Sequence, residues 1–194
     1  MTMRIRPSSQ AGYLMIEVLI TMFILAVGLL GVVGLQARAQ QAETDSYQRT
    51  QALVLLRDMA ARLNANHEQA FDTTVSPYLV PTTDPLGTNS ANTILTTCAG
   101  ATAIATIDLC AWNDALLGAS ETSGGGNVGA MIGARGCITT PATHTYLIQI
   151  VWQGLTPSAA PPSTVACGAT LYGANDDLRR AVTTVVQVGD INAP

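Results

Sequence analysis

Residues 18–35, VLITMFILAVGLLGVVGL, carry no charge over eighteen positions, and no other segment of the chain is long and apolar enough to cross a bilayer. A spanning helix needs about 20 such residues, so this run nearly fills one crossing. After Gln36 the sequence turns polar, rich in Thr, Ala, Gly and Ser, with only two Phe in the whole protein. The 194 residues therefore divide into an apolar extension and one domain of ordinary size, roughly 100 to 150 residues, with a modest core.

Nine basic against thirteen acidic residues give a net charge of -4, without a basic cluster. A surface that holds phosphates needs such a cluster, which argues against nucleic acid as a partner. Cys98, Cys110, Cys137 and Cys167 all lie in the polar part, with no CxxC pair to suggest a zinc or thioredoxin-like site. An even count beyond a membrane segment points to two disulfides in an oxidising compartment. Three pairings are open to four cysteines, and sequence alone does not choose among them. Cys98–Cys110 with Cys137–Cys167 closes the shortest loops and is the pairing expected here.

The apolar run is preceded by GYLMIEVLI, in which Glu17 stands directly before the uncharged stretch, and by a short leader, MTMRIRPSSQAG, with Arg4 and Arg6 and no acid. Positive charge ahead of such a run stays cytoplasmic, so the bulk of the chain faces outward. A secretory signal cut after Ala37-Arg38-Ala39 is one reading, but its apolar region is typically about 7 to 15 residues. A plain anchor helix with Glu17 among the headgroups is another. A third rests on likeness: the basic leader, Gly12, and a glutamate five places after it resemble the amino-terminal signal of type IV prepilins and pseudopilins. More narrowly, residues 16–36 resemble the PilV family of minor pilins, with Tyr13 where Phe or Met is commoner and Leu14-Met15 in place of the usual Thr-Leu.

That resemblance implies a leader of residues 1–12 removed by prepilin peptidase between Gly12 and Tyr13, and N-methylation of Tyr13. It also implies a role for Glu17. A carboxylate in hydrocarbon is costly unless paired and usually marks function; in pilins it is thought to neutralise the amino terminus of a neighbouring subunit during docking. The implied architecture is α+β, the type IV pilin fold. Residues 13–36 form the transmembrane half of a long helix, 37–66 its amphipathic half, and 67–194 a periplasmic globular domain.

The residues downstream fit that plan. No Pro or Gly interrupts residues 35–66, and Leu35, Ala39, Ala42, Ser46, Leu53, Leu56, Ala60 and Leu63 recur near a 3.6-residue period, with a stop expected at 64–66. Gly28, Gly31 and Gly34 allow close approach of neighbouring helices. Residues 71–98, with Pro77, Pro81 and Pro85, read as a loop. Residues 101–118 read as a short helix with Ile104, Ile107, Ala111 and Ala115 on one face and Gly118 as the stop. ARGCITT, TYLIQIVWQG and LRRAVTTVVQVG read as strands, with Leu147, Ile150 and Trp152 inward in the second and Val182, Val186 and Val188 sharing a face in the third.

Nothing in the sequence calls for catalysis. His67 and His144 lie far apart and away from ligand-type neighbours. Asp176-Asp177 reads as a solvated turn, and Arg179-Arg180 as charge guarding a strand edge. No nucleophile motif and no cofactor motif appears. The expected function is that of a minor pilin in pilus assembly initiation or a tip complex, supporting motility or adhesion; a minor pseudopilin of a type II secretion system is the alternative. The partners implied are other pilins through the amino-terminal helix, prepilin peptidase, the inner-membrane assembly machinery, a tip adhesin and the lipid bilayer. The location implied is the inner membrane and, after assembly, the cell surface.

Overall fold

The computed structural model describes residues 11–71, 76–119, 121–129 and 131–189, with residues 11–14 as helical backbone only. The leader segment 1–10, with Arg4 and Arg6, lies outside the described residues, as do positions 72–75 of the expected loop. The fold is α+β: a long amino-terminal helix and a small antiparallel sheet. By internal contacts the chain forms two compact units, 1–44 and 45–194.

Helix α1, Ala11–Ala65, belongs to both units. It contains no proline, and Gly28, Gly31 and Gly34 are accommodated without a break. In the first unit its side chains from Met15 onward are exposed. In the second unit one stripe turns inward: Gln48, Ala52, Leu56, Met59 and Leu63 are buried. This stripe differs from the expected one before Leu56 and again after it, where Met59 is fully buried and the expected Ala60 only partly so. Leu53 is on the exposed side, and Gln48 and Ala52 bridge what the sequence left as a polar gap. A glutamine, whose amide the hydrophobic pattern discounts, holds a core position.

The second unit continues with α2 (His67–Phe71), β1 (Leu86–Gly87), a 3-10 turn at Thr93–Thr97 and α3 (Ile104–Leu116). A small hairpin, β2 (Thr122–Ser123) and β3 (Gly126–Asn127), precedes the strands β4 (Arg135–Ala142), β5 (Thr145–Gln153) and β6 (Arg179–Gln187). The main sheet runs β1-β4-β5-β6, with every neighbouring pair antiparallel. Loop 71–98 is therefore not wholly irregular: it supplies an edge strand, and Val80 bridges to Ile138.

One face of the sheet presents Ile138, Tyr146, Ile148, Ile150, Trp152 and Val186 to a core completed by the α1 stripe and by Ala105, Leu109, Trp112 and Leu116 of α3. Each fully buried Leu or Ile contributes about 1.5–3 kcal/mol, so this cluster dominates stability. The Trp112 indole lies over Gly136, where a Cβ would overlap its ring, and its Nε1 donates to the Leu55 carbonyl at 3.2 Å. One ring thus touches both the sheet and α1.

The expected face of α3 is corrected here. Ile104 and Ile107 are exposed at 53% and 46%, and the helix instead buries the stripe that carries Trp112, its largest side chain. In β5, Ile150 and Trp152 point into the main core, but Leu147 does not. Period two joins Tyr146, Ile148, Ile150 and Trp152 on one face and puts Leu147 on the other. The interrupted alternation read from sequence has a physical reason, because β5 is covered on both faces. Behind it, Cys137, Val151, Cys167 and Tyr172 form a second cluster beneath the 154–178 loop.

Candidate functional site

The first unit presents a helix surface apolar on all sides. Met15, Leu19, Phe23, Leu30 and Leu35 are each more than 60% exposed, and Ile20, Val27 and Val33 more than half. A helix that is hydrophobic all round belongs in a core or a bilayer. This is the one helix among the described residues long and apolar enough to cross a membrane, and none of its apolar window is buried. It fits membrane anchoring. Glu17 is exposed at the start of this surface. One turn beyond it, the Thr21 hydroxyl donates to the Val18 carbonyl at 2.9 Å and is spent on the helix itself. Gly12 and Tyr13 lie in the helical backbone of α1.

In the second unit, polar side chains tie α1 to α3. Arg62 donates through Nε to Asp58 Oδ2 at 2.8 Å and through Nη1 to Asp108 Oδ1 at 2.9 Å. The Tyr78 hydroxyl donates to the other Asp108 oxygen at 2.6 Å and accepts from Asn66 Nδ2 at 2.8 Å. Hydrogen bonding to Asp58, opposed by burial and aided by Asp108, holds the Arg62 guanidinium above its usual range. Burial, reinforced by the bond to Asp108, raises the Tyr78 phenol. Sequence reading missed this lattice. Its members lie on three segments with no spacing in common, and the only local hint was the i, i+4 pair Asp58 and Arg62.

The cysteines pair as Cys98–Cys110 and Cys137–Cys167. The first fastens the 3-10 turn to α3, and the second fastens the 154–178 loop to β4 on the outer face of the sheet. Arg179 overturns its sequence reading. It is only 4% exposed, and its Nη1 donates to the carbonyls of Val165 and Cys167 at 2.6 and 2.9 Å, while its Nη2 pairs with Asp176 at 3.3 Å. It anchors the loop from below and does not guard an edge. The Asp176-Asp177 turn is corrected with it: Asp176 accepts from the Thr170 amide at 2.9 Å as well as from Arg179. Arg180 donates to the carbonyls of Asp177, Arg179 and Thr156. His144 stacks on Phe71 with ring centroids 3.7 Å apart, which gives it a packing role. Among the described residues no group of three or more His, Cys, Asp or Glu side chains could hold a metal ion.

The described residues thus comprise a helix surface that fits membrane anchoring and a domain cross-braced by two disulfides and by the Arg62 and Arg179 contacts. Residues 34–112 match the protein family described as Tt1218-like, type IV pilin Tt1218. The matched stretch covers less than half of the chain; it begins at the end of the apolar run and reaches Trp112. No curated protein and no solved structure gives a significant match. The likeness supports a pilin role in general and, with it, assembly with other pilins.

Proposed function

We propose that this chain is a minor pilin of a type IV pilus system, resembling the PilV family, cut by prepilin peptidase between Gly12 and Tyr13 and methylated on the new amino terminus. The observation that carries the reading is Glu17: one exposed carboxylate at the head of a helix surface whose next eighteen residues are uncharged. Such a group is costly in hydrocarbon unless a cation meets it. Cleavage at Gly12 creates that cation four residues upstream, on Tyr13, and a helix has its neighbours at i+3 and i+4. The same amine on an adjacent subunit meets Glu17 when two such helices pack side by side. In this reading the protein stands in the inner membrane with residues 67–194 as its periplasmic domain and joins other minor pilins at filament initiation or at the tip.

The mature amino terminus tests this reading. Intact mass and amino-terminal sequencing of the protein from membranes are expected to give methyl-Tyr13 as the first residue; a start at Gln40, or an uncut Met1, would overturn it. The Glu17→Ala variant is expected to fold and anchor normally but to be depleted from sheared filaments. Normal incorporation of that variant would remove the docking role.

A further inference from the structure

Between β5 and β6 the chain runs through residues 154–178 without a helix or strand. Loops longer than about 12–15 residues are uncommon in compact domains and are usually functional or disordered. This one is fastened along its length. Arg180 donates to the Thr156 carbonyl, the Ser158 amide donates to the Asp177 carbonyl at 2.8 Å, and Arg179 with Cys137–Cys167 holds Val165 and Cys167 from below.

The outer part of the loop has a biased composition. Residues 155–166, LTPSAAPPSTVA, hold four hydroxyl side chains and three prolines, and no charged residue occurs between Gln153 and Asp176. Thr156, Ser158, Ser163 and Thr164 are all exposed. The residues that precede a proline, Thr156, Ala160 and Pro161, are confined to extended backbone, and the prolines offer no N–H for strand pairing. Pro162 then opens a turn: the Val165 amide donates to its carbonyl at 2.9 Å, which sets Ser163 and Thr164 at the two central positions. The Ser158 hydroxyl donates to the Ala159 carbonyl at 3.3 Å, whereas those of Ser163 and Thr164 make no hydrogen bond among the described residues.

Composition and charge select what these hydroxyl groups would carry. Ser and Thr set among Pro is the acceptor composition of O-linked sugars. Protein surfaces are ordinarily kept soluble by interspersed charges. This loop has none and exposes Leu155 and Leu171, a surface that a bulky polar sugar would hydrate. A phosphate would need cations to receive it, and the two arginines that reach the loop are turned onto carbonyl groups. We propose that the Ser163-Thr164 turn is an O-glycosylation site, served by a separate glycosyltransferase and a sugar activated as a diphosphate ester. The acceptor hydroxyl oxygen bonds to the anomeric carbon of the sugar as the bond from that carbon to the phosphate oxygen breaks. The diphosphate leaves with the electron pair, and the hydroxyl proton passes to a base of the transferase. The proposal rests on the loop and not on the pilus assignment.

The test uses the full chain purified from membranes of the organism that encodes it. No Lys or Arg lies between Arg135 and Arg179, so trypsin after reduction releases residues 136–179 as one peptide. Its mass is expected to exceed the sequence value by one or more sugar units, and electron-transfer fragmentation is expected to place them on Ser163 or Thr164. The paired substitution Ser163→Ala, Thr164→Ala is expected to abolish the shift. Thr143→Ala, at an exposed threonine between β4 and β5 in the same peptide, is expected to leave it intact. Fragmentation of the unsubstituted protein decides the site even where the paired variant fails to accumulate. An unmodified peptide, a phosphate in place of a sugar, or a sugar shift that survives in the paired variant overturns the proposal. Because the peptide excludes the amino terminus, none of these outcomes bears on cleavage at Gly12.

Discussion

Gly136 is the position where a single atom decides most. It lies in β4 opposite Ile150, and the space its side chain would occupy is taken by the Trp112 ring and Leu116 Cδ1. Because Trp112 is also held to α1 by its indole N–H, it cannot retreat without breaking a bond made inside the core. Gly136→Ala is therefore expected to destabilise the protein by about 1–3 kcal/mol through overpacking. Denaturant unfolding measures it, and a midpoint equal to wild type would show that the core yields at this point. The sequence gives no sign of this requirement, since a glycine in ARGCITT only weakens a strand prediction. The opposite holds for Glu17, whose isolation before an uncharged run is visible in the sequence alone. Core positions are set by partners distant in sequence, whereas a charge beside an apolar run is anomalous by its own neighbours.

At the level of elements, the long helix and the three main strands are legible because each has a sustained composition and period. Their facing is less legible. β5 is buried on both sides, so its pattern does not alternate cleanly, and α3 exposes two isoleucines while burying Trp112 and Asn113. The reason for the double burial is the 154–178 loop, held down by Cys137–Cys167 and by Arg179. The two disulfides should consequently differ in effect. Cys98–Cys110 closes a separation of 12 residues between half-buried partners, whereas Cys137–Cys167 closes 30 and both of its cysteines are fully buried. Loop-closure entropy favours the longer loop, and a loop of roughly 15 residues is already worth about 3 kcal/mol. Replacing Cys137 and Cys167 together by Ser is expected to lower stability by about 3–5 kcal/mol and to open the loop to thermolysin. The Cys98→Ser, Cys110→Ser pair is expected to cost less and to leave that loop resistant. An equal loss of stability in the two pairs would show that loop length does not set the order, and a protected loop without Cys137–Cys167 would show that Arg179 suffices to hold it.

For the molecule as a whole, the division at residue 44 separates two kinds of stability. The first unit has no buried side chain among its described residues, so its helix depends on lipid or on other helices. The second has a core of its own. A chain shortened to residues 37–194 is accordingly expected to be soluble without detergent and to unfold in one cooperative step; aggregation or loss of the transition would mean that the domain needs the apolar segment. The pH response of that domain follows from the sequence and the core together. The chain contains no lysine, and all nine of its basic side chains are arginine, so few groups other than tyrosine titrate in the alkaline range. Burial raises the Tyr78 phenol above its ordinary value of 10.0, with Asp108 adding to the effect, and burial likewise raises Tyr172. Below pH 10 both are protonated whether the chain is folded or not, and their contribution to stability is complete. As the pH rises past 10 the unfolded chain releases these protons while the folded one keeps them, so the unfolded state binds fewer protons and stability falls with pH. The denaturant midpoint is expected to hold steady up to about pH 9 and to drop steeply between about pH 10 and 11. Tyr78→Phe should remove part of that slope at some cost at neutral pH, since Asp108 then loses the hydroxyl that donates to it. A midpoint flat through pH 11, or a slope unchanged in Tyr78→Phe, would place the alkaline weakness elsewhere.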